Sequence, residues 1–408
     1  MKSDLDRLMT ERKIDQLVVF GPDGLGAVNA AFNYFVGGRH IVGMVVKQRG
    51  QKPLLIHGVM ERDDAAQTGL ELIENTRWNL KEIQQQFTDP FAARVELNRQ
   101  MFHDLGITGR VAFYGVAEVG SVTALLRELS KQIPGLIVLA EGYRDVIQQA
   151  RETKDDEELK LMAEVGRATC EVVAQTRQFL QSHAVNEETL QKNDGTPLTI
   201  GDVKRHVRRL LIDQDLEHPG DFIFSQGRDA GVPHNHGNPD DPVRLGKTLI
   251  FDIYPRRKGG YFHDMTRTWC LGYAPREVQQ AYDDVAHCFQ SVVDKLHVGQ
   301  RTYLLQQLTC DIFESVGRPT IRQDPKRHFG YIHSLGHGLG LDVHELPSCP
   351  TFSDAGQQIE HGTIITVEPG LYYPDEGFGI RIEDTYVIDH EGLVRSLTPC
   401  SRELVVPM

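Results

Sequence analysis

The 408-residue chain contains no apolar run near the roughly 20 residues that a bilayer-spanning helix needs. Its opening stretch, MKSDLDRLMTERKID, is polar and charged and lacks the apolar centre of a secretory signal. These two absences lead to the expectation of a cytoplasmic protein with no membrane partner. Basic residues are in deficit. Lys and Arg total 44 against 57 Asp and Glu, and the formal charge is −13. Nucleic-acid binding needs a basic footprint, so that class of partner is not expected. No CxxC pair occurs among the six cysteines, Cys170, Cys270, Cys288, Cys310, Cys349 and Cys400. Neither a zinc knuckle nor a redox dithiol follows from such spacing, and scattered buried thiols are the expectation. Low-complexity segments and repeats of about 20–50 residues are also missing, which argues against linkers and solenoids.

What remains is a chain of ordinary globular composition, 40% hydrophobic and 25% charged, and long enough for two domains. In the first part Leu5, Leu8 and Met9 recur at helical spacing. IDQLVVFG, RHIVGMVVK, KPLLIHG and RVAFYG read as short strands. This predicts a mixed α/β domain over 1–145 with no cluster of metal-ligand types. The charged run Lys154–Glu158 then leads into a long helix whose Leu159, Met162, Val165 and Ala168 share one face. The second domain, 146–408, carries strands broken by Gly- and Pro-rich turns, together with further helices such as REVQQAYDDVAHCFQSVVDKL.

Three stretches of that second part carry chemistry. In TLIFDIYPRRKGGYFHDMTRT, Thr248–Tyr254 reads as a strand and Gly260–Thr268 as its return. A turn centred near Lys258 sets Asp252 opposite Asp264. Two ionised carboxylates that close are unfavourable unless a cation lies between them. Asp252 also interrupts an apolar run, which argues against a solvated hairpin pair. The row Arg256, Arg257 and Lys258 is expected to be a solvated turn. In YIHSLGHGLGLDVHE, His333, His337 and His344 lie among glycines that permit close backbone approach, and imidazole is a common divalent-metal ligand. In GTIITVEPGLYY, Glu368 ends an apolar run just before Pro-Gly. In GFGIRIEDTYVI the two-residue period puts Arg381 and Glu383 on one face and Ile380 and Ile382 on the other. Four carboxylates and one imidazole suit Mn²⁺, Co²⁺, Fe²⁺ or Zn²⁺, not a thiolate-loving metal. Four carboxylates can neutralise two divalent ions.

These motifs resemble the pita-bread metallopeptidases, the group of methionine aminopeptidase, aminopeptidase P, prolidase and creatinase. DRLMTERKIDQLVVF and NYFVGG are similar to the creatinase-like domain that precedes the catalytic domain in the Xaa-Pro branch, so the resemblance runs along essentially the whole chain. It implies an α+β fold, a pita-bread catalytic domain preceded by a creatinase-like α/β N-terminal domain. It also implies a metal set of Asp252, Asp264, His337, Glu368 and Glu383 holding two divalent ions, with Mn²⁺ favoured. By the same resemblance Glu368 acts as general base and then acid, and His234 and His344 contact the substrate and its oxyanion. His236 is the weaker choice for the role given to His234. Arg381 supports the site or meets a substrate carboxylate. The implied activity is hydrolysis of small peptides at the bond before proline, by a homodimer. Two other readings stand beside it: a C–N hydrolase or lyase acting on a small osmolyte-like molecule, and a non-catalytic peptide-binding module. The full ligand set weighs against both the metal-free branch and the binding module. Two departures concern substrate choice. The Asp252–Asp264 interval is one residue longer than is usual, and Tyr254 stands where Gly is common; the lyase branch carries a second Asp at that position.

Overall fold

The computed structural model describes residues 4–22 and 29–408. The chain forms two compact units, Met1–Arg151 and Glu152–Met408. The division expected at 145 falls just ahead of a short helix, Val146–Arg151, that belongs to the first unit.

The four apolar runs read from the first part are strands of one six-stranded sheet. Its members are β1 (Gln16–Phe20), β2 (Gly43–Gln48), β3 (Leu54–His57), β4 (Glu71–Glu74), β5 (Gly109–Tyr114) and β6 (Leu136–Leu139). They lie in the order β4-β3-β2-β1-β5-β6. The pairs β1–β2 and β2–β3 are antiparallel, whereas β3–β4, β1–β5 and β5–β6 are parallel. Helices α1 (Pro90–Asp104) and α2 (Val119–Gln132) connect the later strands, as parallel pairing requires. Phe102, Leu125 and Leu129 from these helices share a core with Val18, Val46, Ile56 and Val111 of the sheet.

The second unit opens with α3 (Asp156–Gln181). Its start is fixed by a reciprocal cap: Asp155 accepts from the Glu158 amide (3.0 Å) and Glu158 from the Asp155 amide (2.8 Å). Met162 and Val165 are buried as their spacing predicts, with Leu159 and Ala168 packed beside them. After α4 (Ile200–Asp213) come β7 (Ile223–Gln226), β8 (Thr248–Ile253) and β9 (Met265–Leu271), then α5 (Arg276–Val293) and α6 (Thr302–Ser315). The remaining strands are β10 (His337–Gly338), β11 (Glu345–Ser348), β12 (Thr363–Val367), β13 (Gly370–Tyr373), β14 (Phe378–Arg381), β15 (Asp384–Ile388), β16 (Val394–Ser396) and β17 (Val405–Val406). They form a four-stranded sheet, β7-β8-β9-β17, a five-stranded sheet, β11-β10-β12-β15-β16, and a two-stranded ribbon, β13-β14. Two apolar clusters flank these sheets. One is built on α5 and α6 with Ile365, Val367 and Ile380, the other on α3 and α4 with Phe224, Phe251 and Trp269.

The cysteines depart from expectation. Cys170 on α3 is disulfide-bonded to Cys400, with Cα atoms 5.6 Å apart across a sequence separation of 230. Only the tertiary fold brings the two together, so no local spacing announces the pair. Cys270, Cys288, Cys310 and Cys349 are free and buried, as expected. Among the described residues no helix is long and apolar enough to cross a membrane.

Candidate metal centre

Strands β8 and β9 form the predicted hairpin, but with Asp252 opposite Thr266 and Ile253 opposite Met265. The register is therefore two residues from the one that sets Asp252 against Asp264. The reason lies in the connection. Arg256 bridges to Phe262, and Arg256–Arg257 also ladders with Leu216–Glu217, which centres the turn on Gly259 at φ +66°. A shift of two conserves the face of a strand. Asp264 and Asp252 thus stay on one side as diagonal neighbours rather than a directly opposed pair. The same ladder carries Arg256 inward. It is 5% exposed, it pairs with Glu217 at 2.6 Å and it lies over the Phe262 ring. Of the basic row expected to be solvated, only Arg257 and Lys258 are exposed.

His337 on β10 faces the hairpin because its segment lies directly on β12. A Cβ on Gly336 would come within 2.0 Å of the Thr366 carbonyl oxygen, so only glycine permits this approach. The His337 amide donates to Thr366 Oγ1 at 3.1 Å. Its Nδ1 donates to the Gly338 carbonyl at 3.0 Å, which fixes the tautomer and leaves Nε2 as a free lone pair. That Nε2 stands 3.5 Å from Glu368 Oε1 and 3.8 Å from Asp264 Oδ2. Glu368 follows the last residue of β12, held by its amide donating to the Leu335 carbonyl at 2.8 Å. Glu383 sits between β14 and β15, bridged to Thr266. Ligand-type atoms of Asp264, His337 and Glu383 all lie within 4.8 Å of one another.

The electrostatics of this cluster call for a cation. At an effective dielectric near 20, two like charges about 5 Å apart repel by about 3 kcal/mol. Burial, and then the charges of Glu383, Asp252 and Glu368, raise the Asp264 carboxyl well above the usual range. Glu368 is raised in the same way by burial and then by Glu383. Burial and then Asp252 push Glu383 up to about 8. Burial and then His344 push His337 down to about 3, which keeps the imidazole neutral. Asp264 Oδ1 and Glu383 Oε1 are buried without a hydrogen-bond partner. Orphaned acceptors are costly in a protein interior and are expected where an ion binds. Oxygen donors with one neutral imidazole fit a divalent ion of the harder transition metals.

Asp252 belongs to this field but is held from the other side. Its Oδ2 accepts from Arg381 Nη2. Arg381 is 3% exposed and also donates to Thr266 Oγ1 (3.0 Å) and to the Tyr372 hydroxyl (2.7 Å). Thr266 in turn donates to Glu383 Oε2 at 2.8 Å. Arg381 and Glu383 thus meet on one threonine, in keeping with the face they were expected to share. The Tyr372 hydroxyl lies 2.9 Å from His333 Nε2, whose ring partner Nδ1 donates to the Ser334 carbonyl. Sequence reasoning named His333 only as one of three candidate imidazoles and gave no role to Tyr372 or Thr266. Thr266 stood in the quoted DMTRT and Tyr372 in GLYY, and β-strand alternation could have placed Thr266 on the Asp264 face. The His344 ring is 4.3 Å from that of His337, edge to face. His234 is exposed, and the neighbouring Pro233 carbonyl lies 3.5 Å from Arg381 Nη1; His344 and His333 are both lowered, first by burial. His236 turns away from this group, with Nδ1 3.3 Å from the Phe222 carbonyl and 3.8 Å from Asp221.

Comparisons with known proteins agree with this architecture. The chain is 26% identical over 262 residues to the "Probable dipeptidase PepE" of Mycobacterium tuberculosis, a match covering 64% of this chain and 62% of that protein. It is 29% identical over 266 residues to the Xaa-Pro dipeptidase of Pyrococcus furiosus, covering 64% of this chain and 67% of that one. Among solved structures, the Xaa-Pro dipeptidase from Bacillus anthracis superposes with a TM-score of 0.76 at 20% identity, over 100% of this chain and 99% of the other. The X-Pro aminopeptidase from Thermotoga maritima gives 0.75 at 20% identity, over 98% and 100%. These likenesses show the fold along both units. The model of metallopeptidase family M24 matches residues 160–390, more than half of the chain, and the protein therefore belongs to metallopeptidase family M24.

Proposed function

We propose that the protein is a metal-dependent peptidase that cleaves small peptides at the Xaa-Pro bond. The observation that carries this reading is the convergence of His337 Nε2 with the half-buried Glu368 carboxylate and the buried carboxylates of Asp264 and Glu383, each of which has one oxygen without a partner. The named activities of the relatives point to the same substrate class. Asp252, Asp264, His337, Glu368 and Glu383 would hold two divalent ions, Mn²⁺ first, with Co²⁺, Zn²⁺ and Fe²⁺ as alternatives. Bound there, such ions supply Lewis acidity and lower the pKa of water to near neutrality.

The chain's own groups do the rest. Glu368 takes a proton from the attacking water and returns it to the leaving nitrogen. His344 and His234 donate hydrogen bonds to the oxyanion that develops on the scissile carbonyl and hold the substrate. Of the two roles implied for Arg381, support of the site is favoured, because its guanidinium is committed to Asp252, Thr266 and Tyr372. A homodimer in the cytoplasm completes the proposal. Light scattering on the purified protein tests the oligomer, and fractionation of the source cells tests the location.

The test of function is a panel of Xaa-Pro dipeptides, Xaa-Pro tripeptides, Xaa-Ala controls and creatine- or ectoine-like amides. It is assayed with Mn²⁺, Co²⁺, Zn²⁺ and Fe²⁺ in turn. Cleavage confined to the bond before proline is the expected result. Turnover of the amides alone would replace the peptidase reading with the osmolyte one.

A further inference from the structure

Lys154 is the one charged side chain of the run before α3 that is fully buried, at 1% exposure. Its Nζ lies 3.1 Å from Glu345 Oε2, and the two side chains are 2% and 4% exposed across 191 positions of sequence. The lysine backbone is fixed independently, with its amide donating to the Gly362 carbonyl at 2.9 Å. Glu345 is the residue after His344 and the first of β11. Its other oxygen, Oε1, accepts from the Asp342 amide at 3.0 Å, so the carboxylate folds back over its own turn. A Cβ on Gly340 would lie 2.5 Å from both carboxylate oxygens, which shows how closely that turn wraps the acid. The Gly340 carbonyl accepts from the Phe262 amide at 2.8 Å, two residues ahead of Asp264. His344 stands on this clamped turn with its ring 4.3 Å from His337.

A buried lysine–carboxylate pair is a poor stability device, because desolvation offsets most of its attraction and an apolar pair often does as well. What it supplies is geometry: one carboxylate fixed at one oxygen by an amide of its own turn and at the other by a lysine 191 positions away. We infer that the Lys154–Glu345 pair is a positioning element that holds the 340–345 turn so that His344 faces the metal centre. The inference rests on the peptidase reading of that centre. Neither residue touches substrate in this account; both act through His344.

The experiment compares wild type, K154M, H344A and K154M/H344A, each metal-loaded and checked for metal content. Hydrogen exchange measured by mass spectrometry should rise at least about tenfold at amides 338–348 in K154M, and stay unchanged in β12 and β15, since local opening is confined to the clamped turn. With an Xaa-Pro dipeptide, kcat should fall by about tenfold or more in K154M with little change in KM. In the H344A background the same substitution should cost less than about twofold, because two groups acting through one contact are not additive. K154M/E345Q, which leaves no uncompensated buried charge, serves if K154M does not fold. Unchanged exchange at 338–348, or a full further loss of kcat in the H344A background, overturns the inference. A wild type that cleaves no Xaa-Pro bond sinks the peptidase reading alone, and the exchange data still decide whether the clamp exists.

Discussion

Stripping the metals should make this protein lose stability as pH rises from 7 to 8, and the size of the loss follows from the site. Burial and then Asp252 raise Glu383 from 4.5 to about 8 in the folded, metal-free protein. Between those values the folded state keeps a proton that the unfolded state has released. Stability therefore falls with rising pH across the window and levels off above about 8. The neutral buried histidines act in the opposite direction, mostly at lower pH. His263, His333 and His337 lie at about 3 and His218 at about 4, each lowered first by burial. The unfolded chain binds those protons with a pKa near 6.5, so from pH 7 to 8 the four together return about 0.6 kcal/mol, which lessens the fall without cancelling it. Integrating one proton through a folded pKa near 8 gives a loss of about 1 kcal/mol from pH 7 to 8. Asp264 and Glu368 are raised as well, and can only deepen it. The assay is urea unfolding at pH 7.0, 7.5 and 8.0, with chelator or with saturating Mn²⁺. It is followed by Trp269 fluorescence in a W78F background, so that the second unit is read alone. Bound cations pin the carboxylates in their ionised form, so the metal-loaded curve should lose this fall and the gap between the two should widen with pH. A chelated midpoint that stays flat or climbs from pH 7 to 8 would show that the carboxylates do not repel as argued here.

E368Q should keep substrate binding within a few-fold while kcat drops by at least about 100-fold, the usual scale of a lost acid–base group; equal losses in both would remove the proton-transfer role. D264N and H337A should each lower bound metal, read by elemental analysis after dialysis, and full retention in either would take that residue out of the ligand set. R267M should destabilise the second unit. Arg267 donates to the carbonyls of Thr266, Glu383, Cys400 and Ser401 and pairs with the buried Asp384 at 2.8 Å. Asp384 keeps Arg402 at 2.9 Å, so the loss should stay below the about 3–5 kcal/mol of a buried charge left wholly unpaired yet exceed about 1 kcal/mol; a midpoint within about 1 kcal/mol of wild type would contradict this. Thiol titration of the denatured, unreduced protein should find the four free cysteines and not the Cys170–Cys400 pair.

Which parts of this molecule could be read from the chain depends on the range of the cause. Strand alternation and helical period act over a few residues, so they located β1, β2, β3 and β5, the α3 face and the shared side of Arg381 and Glu383. The candidate metal cluster was legible for a related reason. Asp252 interrupts an apolar run and Glu368 ends one, and a carboxylate in such a setting needs a partner that the sequence nearby does not supply; Asp264 and Glu383 were placed by strand pairing and strand period. Partners brought in by topology left no local trace. Arg256 belongs to Glu217, Lys154 to Glu345 and Cys170 to Cys400; Arg256 was taken as part of a solvated turn, Cys170 as a lone thiol, and Lys154 only as one of a charged run. The hairpin register failed in the same way. Symmetry about Lys258 is a local argument, while the true centre at Gly259 is set by a ladder to Leu216–Glu217.

That error was harmless to the site for a physical reason. A slip of one residue would have sent Asp264 to the opposite face of the sheet, whereas a slip of two leaves it on the side of Asp252. The site tolerates a diagonal arrangement because Asp252 is held by Arg381 and not by its cross-strand neighbour. Arg381 thus does two things at once. Its guanidinium brings a positive charge among four acids, and through Thr266 and Tyr372 it ties the hairpin to the β13–β14 ribbon. R381K tests the pair of roles together, since a lysine keeps the charge but not the fork that reaches several acceptors. Metal affinity should then weaken by about 10–100-fold, the usual scale for a group that orients a ligand, while the fold survives. Unaltered metal affinity in R381K would mean that charge alone suffices and that the Asp252 geometry is set elsewhere.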